Sequence, residues 1–117
     1  MSDIRANTIS DAAGTGPITL TKQSAAKAWS HGGETTLNDS FNISSATDNG
    51  VGLYLYNLSS SMNNATYPIA GIATSSRLAL EYEGTLSSSV YGIGVRQTDN
   101  TGFADSTIST MAHGDLA

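Results

Sequence analysis

The chain has 117 residues and no cysteine, so we expect one domain without a disulfide framework or a thiolate metal site. Its net charge is −5 and its five lysine and arginine residues are scattered, which argues against a nucleic-acid partner because counterion release needs a clustered cationic surface. The sequence contains neither a charged segment followed by an apolar run nor any long apolar run, so we expect no secretory signal and no membrane contact.

Large apolar side chains are scarce in this composition. Leu, Ile, Val and Phe make up about a fifth of the residues, whereas Ser and Thr make up about a quarter. Burying a large aliphatic side chain contributes about 1.5–3 kcal/mol, while ordering each residue costs about 1–2 kcal/mol. A core this thin leaves a monomer little margin, so we expect contacts with other protein chains to supplement it.

The first 17 residues are predicted to form an extended arm. They contain two isolated aliphatic residues, Ile4 and Ile9, and they end in the loop signal Gly14-Thr15-Gly16-Pro17. A frayed terminus is the alternative. Ile4 and Ile9 favour an arm that docks on a neighbouring protein, because aliphatic side chains contribute nothing to a tail that stays fully solvated. We therefore predict residues 1–17 as an attachment arm and residues 18–117 as one domain.

The domain is predicted to begin with two β-strands. Residues 18–21 (ITLT) alternate with a period of two, as expected for a half-buried strand. The alanines of residues 24–31 (SAAKAWSH) would also suit one helical turn, but no N-cap and no helical apolar face support a helix. As a strand, this segment places Ala28 and Ser30 on one face and Trp29 and His31 on the other.

The clearest local signal is the Asn49-Gly50 turn between the β-prone runs 41–45 and 51–58. The second run carries apolar residues on both faces, with Leu53 and Leu55 on one and Tyr54 and Tyr56 on the other. A strand with one solvent-exposed face would carry polar residues on that face. We therefore predict that a second sheet or a neighbouring subunit covers Tyr54 and Tyr56, which makes both of them candidate interface residues.

Further strands are predicted at residues 67–73, 78–82, 90–96 and 106–111. Gly92 and Gly94 line one face of the third of these strands, where they would allow close approach of another backbone or a large ring. About seven or eight short strands with frequent turn signals and no convincing helix predict an all-β fold. We expect an antiparallel β-sandwich or a jelly-roll-like barrel with the extended N-terminal arm.

The predicted core draws on the large side chains of these strands. Its members are Ile18, Leu20, Trp29, Phe41, Ile43, Leu53, Leu55, Ile69, Ile72, Leu80, Ile93 and Val95.

The sequence contains only weak candidates for catalytic or metal-binding residues. His31 and His113 have no carboxylate at ligand spacing, although His31 could meet its own copies on an oligomer axis. Glu81 and Glu83 lie on one strand face, a pattern more typical of a solvated strand than of a glycosidase. The Ser24-x-x-Lys27 string lacks the companion motifs of penicillin-recognising enzymes. We expect no catalytic residue, no metal site and no cofactor, and therefore no enzyme.

Exposed aromatic residues among Asn, Asp and Ser are typical of glycan-binding surfaces. Trp29, Tyr67 and Tyr91 are the candidates for such surface recognition. Tyr and Trp also fill protein interfaces, because one end of each side chain is apolar and the other is polar. The interface interpretation is the more frequent of the two.

Several segments resemble a known family. Residues 6–29 resemble a segment that recurs in tail-fibre-like and other small virion proteins of tailed bacteriophages, especially marine ones. Residues 40–45 with Asp48-Asn49-Gly50, and then residues 64–71, resemble the same family. The family form is Asp-Asn-Gly-x-Gly leading into a strand, then Asn-Tyr-x-x-x-Gly; the second match is approximate, because Thr66 stands between Ala65 and Tyr67.

The resemblance covers residues 6–73 and its motifs are structural, with no catalytic residue to transfer. It implies a β-rich head, often a homotrimer, that contacts other virion proteins after assembly in the host cytoplasm. The first hypothesis is a tail-fibre-type appendage of the virion that contacts the host surface, possible host glycans included. The second is a capsid decoration protein that binds and stabilises the phage head. The third is a small glycan-binding module.

Overall fold

The computed structural model describes residues 12–13, 25–82, 85–99 and 101–117. Ile4 and Ile9 of the predicted arm, and the predicted core residues Ile18 and Leu20, lie outside them. The described residues form eight strands and no helix. The strands are β1 (Ala28–Gly33), β2 (Asp39–Phe41), β3 (Ile43–Asp48), β4 (Leu53–Leu58), β5 (Ile69–Ala73), β6 (Arg77–Glu81), β7 (Val90–Gln97) and β8 (Thr107–Ala112).

These strands build two four-stranded sheets. Sheet 1 has the order β2-β1-β8-β5 and sheet 2 has the order β3-β4-β7-β6. All neighbouring strands are antiparallel. Three hairpins, β1-β2, β3-β4 and β6-β7, stay within one sheet, and the other connections pass from one sheet to the other. The predicted antiparallel β-sandwich is confirmed.

Local signals placed most of these strands correctly. The segment with an ambiguous helix or strand pattern is strand β1, and its Ala28 and Ser30 face inward as predicted. The predicted hairpin at Asn49-Gly50 is also present. Its loop is longer than a two-residue turn, because the Asn49 N–H donates to the carbonyl of Leu53 (2.8 Å) and the Leu53 N–H to the carbonyl of Gly50 (2.8 Å).

Asn42 forms the corner at which the chain leaves sheet 1 for sheet 2. Its φ is +56°, a left-handed conformation that asparagine tolerates better than most residues. Its side-chain amide donates to the carbonyls of Lys27 and Ser60, each at 3.0 Å, and its Oδ1 accepts from the Ser60 N–H at 2.7 Å. Three hydrogen bonds therefore hold one strained residue between β2 and β3.

The core between the sheets is filled by tyrosine. Tyr54, Tyr56 and Tyr91 of sheet 2 are buried, and Tyr56 and Tyr91 stack with ring centroids 5.2 Å apart. The facing side of sheet 1 carries small residues, among them Ser30 and Thr110. Small side chains on one sheet leave room for rings from the other, so the two layers interdigitate. Of the two covers predicted for Tyr54 and Tyr56, the structure contains the second sheet.

The tyrosine hydroxyls have partners inside this core. Thr110 Oγ1 shares hydrogen bonds with the Tyr91 hydroxyl (2.7 Å) and with Ser30 Oγ (2.8 Å). Burial raises the pKa of Tyr91 and the pKa of Tyr56 above the ordinary tyrosine value, because the interior disfavours the charged phenolate. Buried hydroxyls without partners would be destabilising, and this network avoids that cost.

Asp105 ties the loop before β8 to the start of β4. Its Oδ1 accepts hydrogen bonds from the Gly52 N–H (2.8 Å) and from the Tyr54 hydroxyl (2.8 Å). The backbone bond from Gly52, followed by the bond from Tyr54, lowers the pKa of the Asp105 carboxyl. The ionised carboxylate is therefore the form that the folded chain favours.

Some of the predicted core members are correct and others are not. Ile43, Ile93 and Val95 are buried, and Ile69 packs against the core. Leu53 and Leu55 are half-buried. The prediction is wrong for four residues on outward-facing positions of their strands, which are exposed: Trp29, Phe41, Ile72 and Leu80. Strand alternation turns these side chains outward because smaller residues or tyrosines take the inward positions.

The hydroxyl network gives a stability prediction. Replacing Thr110 by valine keeps the side-chain shape but removes a hydroxyl that serves both Tyr91 and Ser30. We expect Thr110→Val to lower the free energy of unfolding by about 1–3 kcal/mol, and Tyr91→Phe to lower it less, because Thr110 and Ser30 then still pair. Urea denaturation measures both. The exposed Thr36→Val is the control, expected within about 0.5 kcal/mol of wild type; equal stability of Thr110→Val would contradict the role of the network.

Asp105 gives a pH prediction. Because its folded-state pKa is lowered, its stabilising contribution is present above the unfolded pKa, about 3.9, and is lost as the pH falls through the folded value. We expect wild type to have the higher melting temperature at neutral pH, and the difference from Asp105→Asn to shrink below about pH 4. Thermal unfolding across this pH range measures it. Asp39→Asn controls for the change in net charge; a pH-independent difference for Asp105→Asn would refute the argument.

Candidate interaction surface

The outer face of sheet 1 carries a continuous line of apolar side chains. Trp29 is paired with Phe41 on β2 and with Met111 on β8, and Met111 is paired in turn with Ala70 on β5. These four residues, here called the apolar row, cross all four strands of the sheet. Trp29 is 37% exposed, Met111 45% and Phe41 52%.

The next line of residues on this face is mostly polar. His31 is paired with Asp39 on one side and with Ser109 on the other, and Ser109 is paired with the exposed Ile72. The His31 Nδ1 and Ser109 Oγ atoms are hydrogen-bonded at 2.8 Å. The apolar row is therefore bordered by groups that stay hydrated while its own side chains are available for contact.

A serine beside a histidine raises the question of acyl transfer. That chemistry depends on backbone N–H donors aimed at the developing oxyanion. His31 and Ser109 stand on paired strands, whose N–H groups between β1 and β8 are used in the ladder. The arrangement suits a polar border better than a nucleophilic site.

The make-up of the apolar row is that of a protein contact surface. Tryptophan, phenylalanine and methionine are enriched at interfaces, and contiguous exposed apolar residues on a soluble domain mark interaction sites. Trp29 is the sole tryptophan of the chain. A sequence with so few large apolar residues nevertheless places three of them together on the outside of one sheet.

The structure separates the other predicted site residues from this surface. Tyr91 and Tyr67 are buried, and the Tyr67 hydroxyl donates to the carbonyl of Ser87 (2.7 Å), where burial raises its pKa to about 12. The predicted exposure of both is wrong. Tyr54 and Tyr56 lie between the chain's own sheets, which removes the reason for assigning them to an interface. Trp29 alone of the three predicted recognition residues lies on the surface.

The sequence reasoning missed Met111 as a surface partner of Trp29. The alternation of β8, with Ile108 and Thr110 inward, contains the signal that Met111 faces outward. The pairing of Met111 with Trp29 joins the two ends of the domain, so no local pattern reveals it.

The outer face of sheet 2 carries a different feature, a groove. A side chain at Gly92 would collide with the Thr85 side chain, and a Cβ at Gly94 would lie 3.4 Å from the Phe103 ring. The predicted role of these glycines, close approach of another segment or a large ring, is confirmed. Between the two crossing segments lies a groove of about 300 Å³, here called the aromatic groove, which is lined by Leu80, Glu81, Tyr82, Gly94, Arg96 and Phe103.

Neither a metal-binding cluster nor a membrane-spanning helix occurs among the described residues. In the part of the chain that the structure describes, no three His, Cys, Asp or Glu side chains lie close enough together to hold a metal ion. The same residues contain no helix long and apolar enough to cross a membrane.

Comparisons with protein-family models, with curated proteins and with solved structures found no match. The apolar row and the aromatic groove are therefore interpreted from their own geometry and from the sequence.

The apolar row gives a prediction about self-association. If copies cover it, molecular mass by light scattering will rise with concentration, and the fluorescence of Trp29 will shift to shorter wavelengths as the ring leaves water. We expect Met111→Ser, which keeps Trp29 as the probe, to require at least about fivefold more protein for the same association, because less apolar area is buried.

The matched control is Leu78→Ser, because Leu78 is exposed to a similar degree on the outer face of sheet 2. This variant should associate as wild type does. A wild-type chain that stays monomeric at every concentration, with Trp29 equally accessible to acrylamide throughout, would contradict self-association through the row.

Proposed function

We propose that this protein is a non-enzymatic structural protein of a tailed-bacteriophage virion, a tail-fibre-type appendage that contacts the host surface. The observation that carries the proposal is the apolar row on sheet 1. A sandwich with Trp29, Phe41 and Met111 along one outer face suits an assembly component, because such a face is completed by another protein.

The resemblance supports the placement in a virion. It covers residues 6–73, and two of the large members of the apolar row, Trp29 and Phe41, belong to that segment. The motif Asp48-Asn49-Gly50 ends β3 and begins the hairpin loop that leads to β4. The segment that resembles virion proteins thus supplies both a structural turn and three of the four residues of the apolar row, with Ala70 as the third.

The proposed partner on the apolar row is a second copy of the chain within a homotrimer. A composition with about a fifth of Leu, Ile, Val and Phe needs additional buried area. In a cyclic trimer, equivalent residues of the three copies meet at the threefold axis, so we place the apolar row at that axis, where identical subunits cover one another's exposed side chains. The predicted arm with Ile4 and Ile9 is then available to attach the assembly to another virion protein.

Locating the protein on particles tests the proposed function. Phage particles purified on a density gradient are probed with an antibody against this chain and are imaged by cryo-electron microscopy. We expect the protein to co-purify with particles and its density to lie on the tail. Density on the head would contradict the appendage hypothesis and support the alternative, a capsid decoration protein.

Absence of the protein from purified particles would contradict the proposal as a whole. If the protein stays in the soluble fraction of the lysate while particles assemble and infect normally without it, the virion role is wrong. Phage that carries Met111→Ser should show reduced incorporation, whereas Leu78→Ser should be incorporated normally, which links the particle result to the apolar row.

A further inference from the structure

The two sheets have four edge strands, and three of these carry features that hinder pairing with a further strand. Strand β2 is only three residues long and contains Asp39. Strand β3 has a register irregularity between Ile43 and Ser45. Strand β6 has a charged residue at each end, Arg77 and Glu81. Short length, bulges and charges are the usual means by which proteins protect open edges.

The fourth edge strand, β5, has none of these features. Its sequence, IAGIA, contains no charged residue and no proline, and its pairing with β8 is regular over the whole strand. Residues 66–76, which include the strand and its flanks, contain no charged side chain. Ala70 and Ile72 point outward, and Ile72 is 73% exposed. An uncharged, regular and partly apolar edge is the type that accepts another strand.

The hydrogen bonds toward β8 show which main-chain groups of β5 face the open edge. The Pro68 carbonyl accepts from an N–H just beyond the end of β8 (3.1 Å), and the Thr74 N–H donates to the first residue of β8 (3.0 Å). In an antiparallel ladder, residues alternate between bonding to the partner and pointing away from it. The even-numbered residues of β5 therefore bond to β8. The N–H and C=O groups at the open edge, where the described residues supply no partner, are those of Ile69, Gly71 and Ala73.

These edge groups are arranged so that β5 can pair with itself. In an antiparallel pair centred on Gly71, Ile69 of each copy lies opposite Ala73 of the other, and the two glycines lie opposite each other. Each opposed pair exchanges two hydrogen bonds, so every main-chain group at the edge gains a partner. The exposed Ile72 then lies beside Ala70 of the other copy. Because both copies contribute the same residues, the contact is symmetric and closed.

We propose that two copies of this chain pair through their β5 edges, which joins sheet 1 of each copy into one continuous antiparallel sheet. A second copy fits this edge because the edge groups complement their own symmetry mates and because residues 66–76 bring no like charges together. The contact lies in the plane of sheet 1, whereas the apolar row projects from its outer face. The inference therefore goes beyond the proposed function and depends on neither the row nor a virion.

Disulfide formation tests the register of this contact. Ala70 of one copy and Ile72 of the other form a non-hydrogen-bonded pair with Cα atoms about 4.5 Å apart, which a disulfide can span. Equal positions of the two copies are diagonal neighbours about 7–8 Å apart, which is too far. We expect a mixture of Ala70→Cys and Ile72→Cys chains, oxidised with glutathione disulfide, to join position 70 of one chain to position 72 of the other. Peptide mass spectrometry identifies the joined positions.

Each variant alone is the matched control, and the chain has no cysteine of its own to interfere. Both variants also carry Met111→Ser, which weakens the apolar row, so that the disulfide reports on the edge. The mixture should form at least about fivefold more disulfide-linked dimer than either variant alone, because only the mixture meets the distance requirement. Disulfides that join only equal positions, or no disulfide in the mixture, would overturn the proposed register.

Amide hydrogen exchange tests the contact without cysteine. Exchange of the Gly71 and Ala73 amides should slow at least about fivefold at high protein concentration, because pairing protects them. Ile72→Lys should abolish this slowing by placing a charge beside the edge, although it lowers the general repulsion between chains of net charge −5. Val51→Lys makes the same change in charge at a loop residue that is 62% exposed, and should behave as wild type does. Exchange independent of concentration in the wild-type chain would refute the contact.

Discussion

The fold depends on the packing of tyrosine rings against a sheet of small residues. The chain has too few aliphatic side chains to fill the space between two sheets, and Tyr54, Tyr56 and Tyr91 fill it instead. Each ring brings a hydroxyl into the interior, where an unpaired hydroxyl would be costly. Thr110 on the facing sheet is small enough to admit the rings and bonds both the Tyr91 hydroxyl and Ser30, while Asp105 accepts from the Tyr54 hydroxyl. Some of the hydroxyl-bearing residues that are so abundant in the sequence therefore stabilise the core and are not merely surface residues.

This packing determines the outer face of sheet 1. Successive side chains of a strand point to opposite faces, so the small inward residues that flank Trp29 on β1 and Met111 on β8 leave these two large side chains outward. Trp29 lies between Ala28 and Ser30, and Met111 lies between Thr110 and Ala112. The exposed apolar row is thus a direct consequence of the tyrosine core. This arrangement gives a physical reason for the proposed assembly function. The large side chains that do not fit in the core are exposed, where they can contact another copy of the chain.

Short-range patterns predicted the strands well and the core poorly. The alternation in 24–31, the Asn49-Gly50 turn and the paired glycines at 92 and 94 each depend on neighbouring residues, and each was interpreted correctly. Which face of a strand is buried depends on what the opposite sheet presents, and the pairing of Trp29 with Met111 joins distant parts of the chain. The prediction assumed that aliphatic, phenylalanine and tryptophan side chains are buried more often than tyrosine. It therefore assigned Trp29 and Phe41 to the core, and Tyr67 and Tyr91 to the surface. Tyrosine and tryptophan are intermediate in burial, so the preference fails where they decide the packing.

The two outer faces of the sandwich differ because the two sheets distribute large side chains differently. Sheet 1 places bulk outward, which favours contact with a flat protein surface. On sheet 2, Gly92 and Gly94 remove bulk from the outer side of β7, so two segments cross the strand and leave a groove between them. Inside, β7 still contributes Tyr91, Ile93 and Val95 to the core, and the alternation of large and absent side chains makes both faces from one strand. The contrast between an apolar outer face on sheet 1 and a grooved outer face on sheet 2 therefore follows from how β1 and β7 distribute their side chains.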